Sequence, residues 1–338
     1  MINIQPRAAA LALGVALAAA PAAAQTDLKF SLDFRFQGGQ APLTHAVDKG
    51  YFSAEKLNVT IDSAQGSGDA VNRVATGAYQ VGFADISAMI RFNAQNPGRE
   101  LIAVMIAYDS SPLAIVTLKS KNITKPKDLE GRKLAAPELD TGRQIFPVFA
   151  KLNGLDMAKI SLQNVDIRLR ESLLVKGDVD ALTGFVSSAR FNLIATGVKD
   201  EDIVALRYPA FGVDLYSNAI ITTTGFAEKN PDVVRGVIRA VIKGLNDGLK
   251  DPASTIPSIK KRDPTVNDAM EAQRLAYINE ILVATPGAKA NGYSAVNPDR
   301  LKRAIELVAD AYGVAPPKPE AVYTDKYLPP AAERQLAK

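Results

Sequence analysis

Few residues in this chain are of types that do chemistry. His45 is the only histidine and there is no cysteine. That composition excludes a multi-histidine or thiolate metal centre, a cysteine nucleophile and a disulfide framework. His45 lies in "LTHAVDKGYF", on what reads as the first helix, with no nucleophile elbow or carboxylate pair nearby, and reads as structural. The remaining candidates are polar residues just beyond apolar runs. In "YQVGFADISAMI" a strand pattern runs into Asp85 and Ser87 and turns at once into a helix, the junction where doubly wound sheets hold ligands. Gly66-Ser67-Gly68 has the same layout, offering backbone N–H groups and a helix dipole to a polar or anionic group. "APELDTGRQIF" sets Thr141, Gly142 and Arg143 at a third junction, and "ALTGFVSSARFN" sets Phe185, Ser187 and Arg190 at a fourth. Helix capping by Asp69 or Asp85 is the rival reading at those sites, and an arginine on such a helix is more often solvated; the recurrence is what points to a cleft.

The elements that would position these residues alternate. Apolar runs predict strands over Lys29 to Phe34, Val59 to Ser63, Val81 to Ala84, Leu101 to Ala107, Leu113 to Lys119, Lys133 to Ala136, Leu162 to Val165, Ala181 to Phe185, Ile203 to Leu206 and Ala219 to Thr223. Helix-like segments between them argue an α/β fold with mostly parallel sheets flanked by helices. From about Pro231 to Tyr312 the spacing becomes helical, with Val234, Ile238, Val241, Ile242 and Leu245 on one stripe. "IAYDSSPLAIV" and "RYPAFGVDLYSNAII" read as two crossings between lobes. They divide the chain into residues 25–108 plus 215–338 as lobe 1 and residues 109–214 as lobe 2, a geometry for hinge closure. The proline-rich tail from Pro316 is expected to lie irregularly on the surface.

Residues 1–24 read as an export signal. Arg7 precedes "AAALALGVALAAA", a run too short to span a bilayer, and Ala22-Ala23-Ala24 fits cleavage before Gln25. A formal net charge of +4, spread rather than blocked, gives no case for nucleic acid; the longest basic cluster is Lys260-Lys261-Arg262. With no cysteine for lipid attachment, a freely soluble monomer in a Gram-negative periplasm is the expectation.

Five segments, "HAVDKGYFSAEKLNVTI", "GSGDAVNRVATGAYQVGFAD", "ITKPKDLEGRKLAAP", "LLVKGDVDALTGF" and "FGVDLYSNAIITT", together resemble the substrate-binding proteins of ABC importers for nitrate, sulfonates, taurine and the thiamine-precursor pyrimidine. The resemblance implies a two-lobed, type II-like periplasmic binding protein fold, no catalysis, no cofactor or metal, and delivery of a small molecule to an inner-membrane permease. A ligand-presenting subunit of a periplasmic sensing system would look the same. The family's pyrimidine-synthesising enzymes resemble these binders in fold but depend on histidine and a cysteine-rich motif. Carried over position by position, the resemblance implies a cleft lined by the loop Phe34 to Gln40, Ser67, Asp85, Tyr108, Thr141, Arg143, Phe185 and Asp214. Phe34 and Phe185 would sandwich the ligand, while Asp85 and Asp214 would accept hydrogen bonds from it. Where the pyrimidine binders carry Asn-His, this chain has Gly39-Gln40. Arg35, Arg143 and Arg190 would favour an organic anion if they face the cleft; the aspartates and aromatic rings would favour a nitrogen heterocycle.

Overall fold

The computed structural model describes residues 1–2 and 25–337; the expected signal segment lies outside them. Ten strands form, each overlapping an expected run: β1 Thr26–Ser31, which ends before the expected Leu32 to Phe34 and leaves Phe34 in a loop, β2 Leu57–Asp62, β3 Val81–Asp85, β4 Leu101–Ile106, β5 Leu113–Leu118, β6 Lys133–Ala135, β7 Ser161–Gln163, β8 Ala181–Phe185, β9 Ile203–Arg207 and β10 Asn218–Thr223. They build two five-stranded sheets, ordered β2-β1-β3-β10-β4 and β7-β6-β8-β5-β9.

The two sheets share one plan. β1 pairs in parallel with β2 and β3, and β6 does so with β7 and β8. In each sheet a single strand runs against both neighbours: β10 against β3 and β4, β5 against β8 and β9. Those two strands adjoin the crossings. The chain leaves the first sheet after Ile106 and at once lays down β5; it leaves the second after Arg207 and returns as β10. The strands are therefore mostly parallel, as expected, with the antiparallel member of each sheet supplied where the chain changes lobe.

Strands buried on both faces read as apolar runs: every residue of β3, inside its sheet, and of β4, at the sheet's end, is buried. Pro231–Lys250 is a single helix with Val234, Ile238, Val241, Ile242 and Leu245 buried along its stripe. Each such side chain removed from water contributes about 1.5–3 kcal/mol to holding the helix on the sheet. The tail is more ordered than the proline content suggests, because Val322 and Tyr327 are buried and Thr324 N–H donates to Ala103 O beside β4. Among the described residues no helix is long and apolar enough to cross a membrane.

Candidate functional site

Three strand-to-helix junctions meet where the lobes face each other. Helices Ser67–Ala75, Thr141–Leu152 and Val186–Ala195 each begin directly beyond a strand or its short loop. They enclose a cavity of about 300 Å³ including its open mouth, lined from lobe 1 by Asp33, Phe34, Gly66 and Ser67 and from lobe 2 by Asp140, Thr141, Arg170, Phe185 and Ser188. Helix N-termini direct unpaired N–H groups and a partial positive charge toward such a space.

The polar wall is tightly held. Asp140 caps the Thr141 helix, its Oδ1 accepting from Arg143 N–H at 3.3 Å, and its Oδ2 pairs with Arg170 at 3.2 Å. Arg170 also donates to Glu171 at 2.8 Å and to Thr183 O at 2.8 Å, with 1 % of its side chain exposed. Burial alone would weaken its proton affinity; the Glu171 and Asp140 carboxylates outweigh that and raise it. Burial pushes the Asp140 carboxyl up, against the pull of Arg170 and the helix N–H groups. Burial works the same way on Glu171, but Arg170 carries that carboxyl below its usual range.

Asp33 accepts from Gln40 Nε2 at 2.8 Å and Asn218 Nδ2 at 2.6 Å, and burial pushes its pKa up to about 6. Thr141 differs from its neighbours: its hydroxyl is buried and has no hydrogen-bond partner among the described residues. A buried polar atom left unpaired costs about 1–3 kcal/mol unless something arrives to bond it.

Hydrogen bonds join the two lobes beside the cavity. Gly68 N–H donates to Leu139 O at 3.3 Å, Ser188 Oγ donates to Gln37 Oε1 at 3.3 Å, and Gln37 Nε2 donates to Asn192 Oδ1 at 3.2 Å. Buried Arg274 donates to Ser187 O at 2.9 Å and Ser188 O at 3.0 Å, and Glu271, its ion-pair partner at 2.7 Å, accepts from Gly38 N–H at 2.6 Å. A Cβ on Gly66, whose φ is +136°, would stand 2.5 Å from Leu139 O, so only glycine admits this approach.

Of the twelve residues singled out from sequence, Phe34, Ser67, Thr141 and Phe185 line the cavity. Gln40 stands behind the wall, holding Asp33. Asp85 lies behind Ser67: its own N–H donates to Ser67 Oγ at 3.0 Å, and its carboxylate accepts from Ser87 N–H and Oγ and from Ser217 Oγ. It caps its helix, and Ser87 is spent on it. Tyr108 is buried with its hydroxyl on Gly39 O at 3.1 Å. Arg143 turns back to Ala136 O at 2.6 Å. Arg190 pairs outside with Asp200 at 2.6 Å, and Asp214 with Arg300 at 2.8 Å, so neither faces the cavity. Arg35 lines an adjoining groove.

Sequence reading missed Asp33, Asp140, Arg170 and Ser188. Asp140 had a signal, standing directly before Thr141 in the capping position, and Asp33 stands directly before the suspected loop Phe34 to Gln40. Arg170, in "DIRLRESL", had none. Among the described residues no three His, Cys, Asp or Glu side chains gather as metal ligands.

The NMT1/THI5-like family model matches residues 38–255, more than half of the chain and all three junctions. The chain belongs to the NMT1/THI5-like family. It is 24% identical to the riboflavin-binding protein RibY of Chloroflexus aurantiacus over 86% of this chain and 82% of that protein. It is also 23% identical to the 4-amino-5-hydroxymethyl-2-methylpyrimidine phosphate synthase of Aspergillus parasiticus, over 75% of this chain and 77% of the enzyme. In fold it is similar to the alkanesulfonate-binding protein SsuA of Xanthomonas axonopodis pv. citri bound to MOPS, with TM-score 0.67 and 14% identity over 90% of this chain and all of that one. The fold is that of the two-lobed periplasmic binding proteins.

Proposed function

We propose that this family member is an exported, periplasmic solute-binding protein, not an enzyme, which closes lobe 1 (25–108 with 215–338) and lobe 2 (109–214) on one small molecule and hands it to an ABC-type permease. The observation that carries the reading is the Thr141 hydroxyl, buried at a helix N-terminus in a cavity between lobes and without a hydrogen-bond partner among the described residues. A ligand acceptor atom would complete it.

The chemistry of the wall supports a planar nitrogen heterocycle over a simple anion. Phe34 and Phe185 come from opposite lobes and line the cavity with aromatic surface suited to a planar ligand. Asp33 offers a carboxylate to a ligand N–H or O–H. Arg143 and Arg190 are engaged elsewhere, and Arg170 is already matched by two carboxylates, so the wall carries no net positive charge to select an anion. Relatives named for riboflavin and for a pyrimidine phosphate agree with a heterocycle.

The synthase relative raises a second reading, a pyrimidine-forming enzyme. That chemistry leans on histidine and cysteine, and here cysteine is absent while the lone His45 is bonded to Asp247 at 3.1 Å. Mass spectrometry of bound compounds before and after incubation separates the readings: a binder returns its ligand unchanged.

The direct test is a thermal-shift screen of residues 25–338, unfolded and refolded to strip bound compounds, against pyrimidines, flavins, aromatic acids and sulfonates. A ligand at a hundred times its Kd adds about 2.7 kcal/mol to stability. A shift with heterocycles that is abolished in Phe185→Ala and weakened in Thr141→Val is expected. Shifts confined to sulfonates, or untouched by both variants, would overturn the assignment.

A further inference from the structure

One lobe 1 helix, Asp268–Ile278, reaches across to lobe 2. Ile278, with Leu282 and Val283 of the π-helical turn Asn279–Val283 that follows, joins the apolar core around Phe30, Phe83 and Val104 of the first sheet. Tyr277 and Ile281 also pack against the core around Val116 and Leu182 of the second sheet. The Tyr277 ring lies 5.9 Å from that of Phe191, on the helix Val186–Ala195 whose Ser188 lines the cavity. Leu282 O accepts from Asp109 N–H at 2.8 Å, which ties the same segment to the first crossing.

Arg274 makes the polar part of this contact. Its guanidinium donates to three lobe 2 acceptors, Ser187 O at 2.9 Å, Ser188 O at 3.0 Å and Asn192 Oδ1 at 3.0 Å. Behind it Glu271 accepts from Arg274 Nε at 2.7 Å and from Gly38 N–H, in the Phe34 to Gln40 loop, at 2.6 Å. Asn192 in turn donates to Glu171 at 3.2 Å, and Glu171 holds Arg170. A hydrogen-bonded chain thus runs from the loop in the lobe 1 wall of the cavity to Arg170 in the lobe 2 wall, and Arg274 carries it between lobes.

The charges are arranged so that this link can break and re-form. Arg274 and Glu271 are 2% and 9% exposed, yet they stand three residues apart on one helix, so the ion pair moves with lobe 1 as a unit. The acceptors on lobe 2 are neutral: two carbonyls and an amide. Parting the lobes would expose an intact pair to water, whereas an ion pair shared between lobes would leave two buried charges stranded. Docking the arm adds hydrogen bonds from a charged donor, the stronger kind.

We propose that Arg274 is a positioning residue, a latch that holds the two cavity walls together and sets the balance between open and closed lobes. The inference rests on the reading of the cavity as a site that closes on a solute.

Nitroxide labels on Thr76→Cys and Lys176→Cys, both exposed and outside the cavity, report the inter-lobe distance in residues 25–338 after unfolding and refolding to strip bound compounds. Because the latch uses only protein atoms, pulsed electron spin resonance should find a short component in the ligand-free protein beside a long one. In Arg274→Met the ratio of short to long should fall at least about tenfold, the equivalent of one hydrogen bond from a charged donor. Arg274→Lys should recover part of the short component, and Asn192→Ala, which removes one of the three acceptors, should fall between wild type and Arg274→Met. Circular dichroism identifies a variant that has not folded, and Asn192→Ala then decides. A ligand-free protein with no short component, or folded variants with the wild-type distribution, overturns the latch; the second result makes the contact a fixed joint. Failure of the cavity reading shows instead as a thermal-shift screen in which no compound stabilises the wild type, and it leaves these ligand-free distances as they are.

Discussion

Arg170→Met tests whether the cavity wall is held by buried charge as described. The guanidinium is the shared partner of Asp140 and Glu171, whose side chains are 10% and 6% exposed, and methionine fills much of the same volume without the charge. Removing one partner of a buried ion pair costs about 3–5 kcal/mol, because the remaining charge is left desolvated. At about 2–4 °C per kcal/mol for a protein of more than 150 residues, the melting point should fall by about 6–20 °C at neutral pH. The loss has a pH signature. In the wild type the depressed Glu171 contributes stability that is present above its unfolded pKa and lost as pH falls through its folded value. In the variant both carboxyls rise, so their penalty is largest at neutral pH and shrinks as acid protonates them. Urea melts of both proteins between pH 4 and 8 should therefore converge toward acid. A difference below about 1 kcal/mol, or one independent of pH, would refute the account of this wall.

Asp33 gives the opposite slope to a salt-bridged carboxylate: its pKa is about 6 when folded against 3.8 as the ordinary value, so the folded state holds the proton more tightly. Stability should fall by up to about 3 kcal/mol as pH rises from 4 to 6, a component that Asp33→Asn removes; a wild-type minus variant difference flat across that window would contradict it. Gly142→Ala places a Cβ 2.3 Å from Gly184 N, where backbone meets backbone and neither can yield. It should cost more than about 2 kcal/mol and abolish ligand-induced stabilisation, and a near-neutral variant in circular-dichroism melts would refute that packing. Arg300 reaches both crossings, to Asp214 at 2.8 Å and Asp109 at 3.4 Å, and lies over the Tyr216 ring at 4.0 Å. Arg300→Gln touches no cavity residue, yet should weaken ligand affinity several-fold by depopulating the closed form, with less than about 1 kcal/mol lost in urea unfolding; unchanged affinity would remove Arg300 from the hinge.

The strands were legible because the cause is local. A strand buried on both faces, such as β4, must be apolar along its length, and the glycine, proline and aspartate punctuation marks its ends. The exchange of β5 and β10 was not legible, since strand order depends on partners distant in sequence, such as Phe185 opposite Leu113 and Asp85 opposite Asn218. Within the site, backbone position was readable and side-chain direction was not. Ser67 and Thr141 begin their helices and line the cavity. Asp85 occupies the corresponding place but bends back onto Ser87 N–H and Ser217. Capping and ligand contact were the two open readings there, and the structure shows the cap. Arg143, Arg190 and Asp214 turned on rotamers that carbonyls and counter-charges distant in sequence select. Arg170 stayed hidden because its sequence surroundings are those of a solvated helix, while its burial comes from Asp140 and Thr183 in other elements.

The absence of cysteine permits clean double labelling. Thr76→Cys on lobe 1 and Lys176→Cys on lobe 2 replace exposed residues outside the cavity. Pulsed electron spin resonance of the spin-labelled pair, stripped of ligand and then saturated with the compound that gives the largest melting shift, measures the inter-lobe distance. Closure on a solute predicts a broad or two-component distribution that collapses to its shorter component with ligand, and no collapse in Phe185→Ala. A single distribution that ligand leaves unchanged would contradict the claim that this protein works by closing on what it binds.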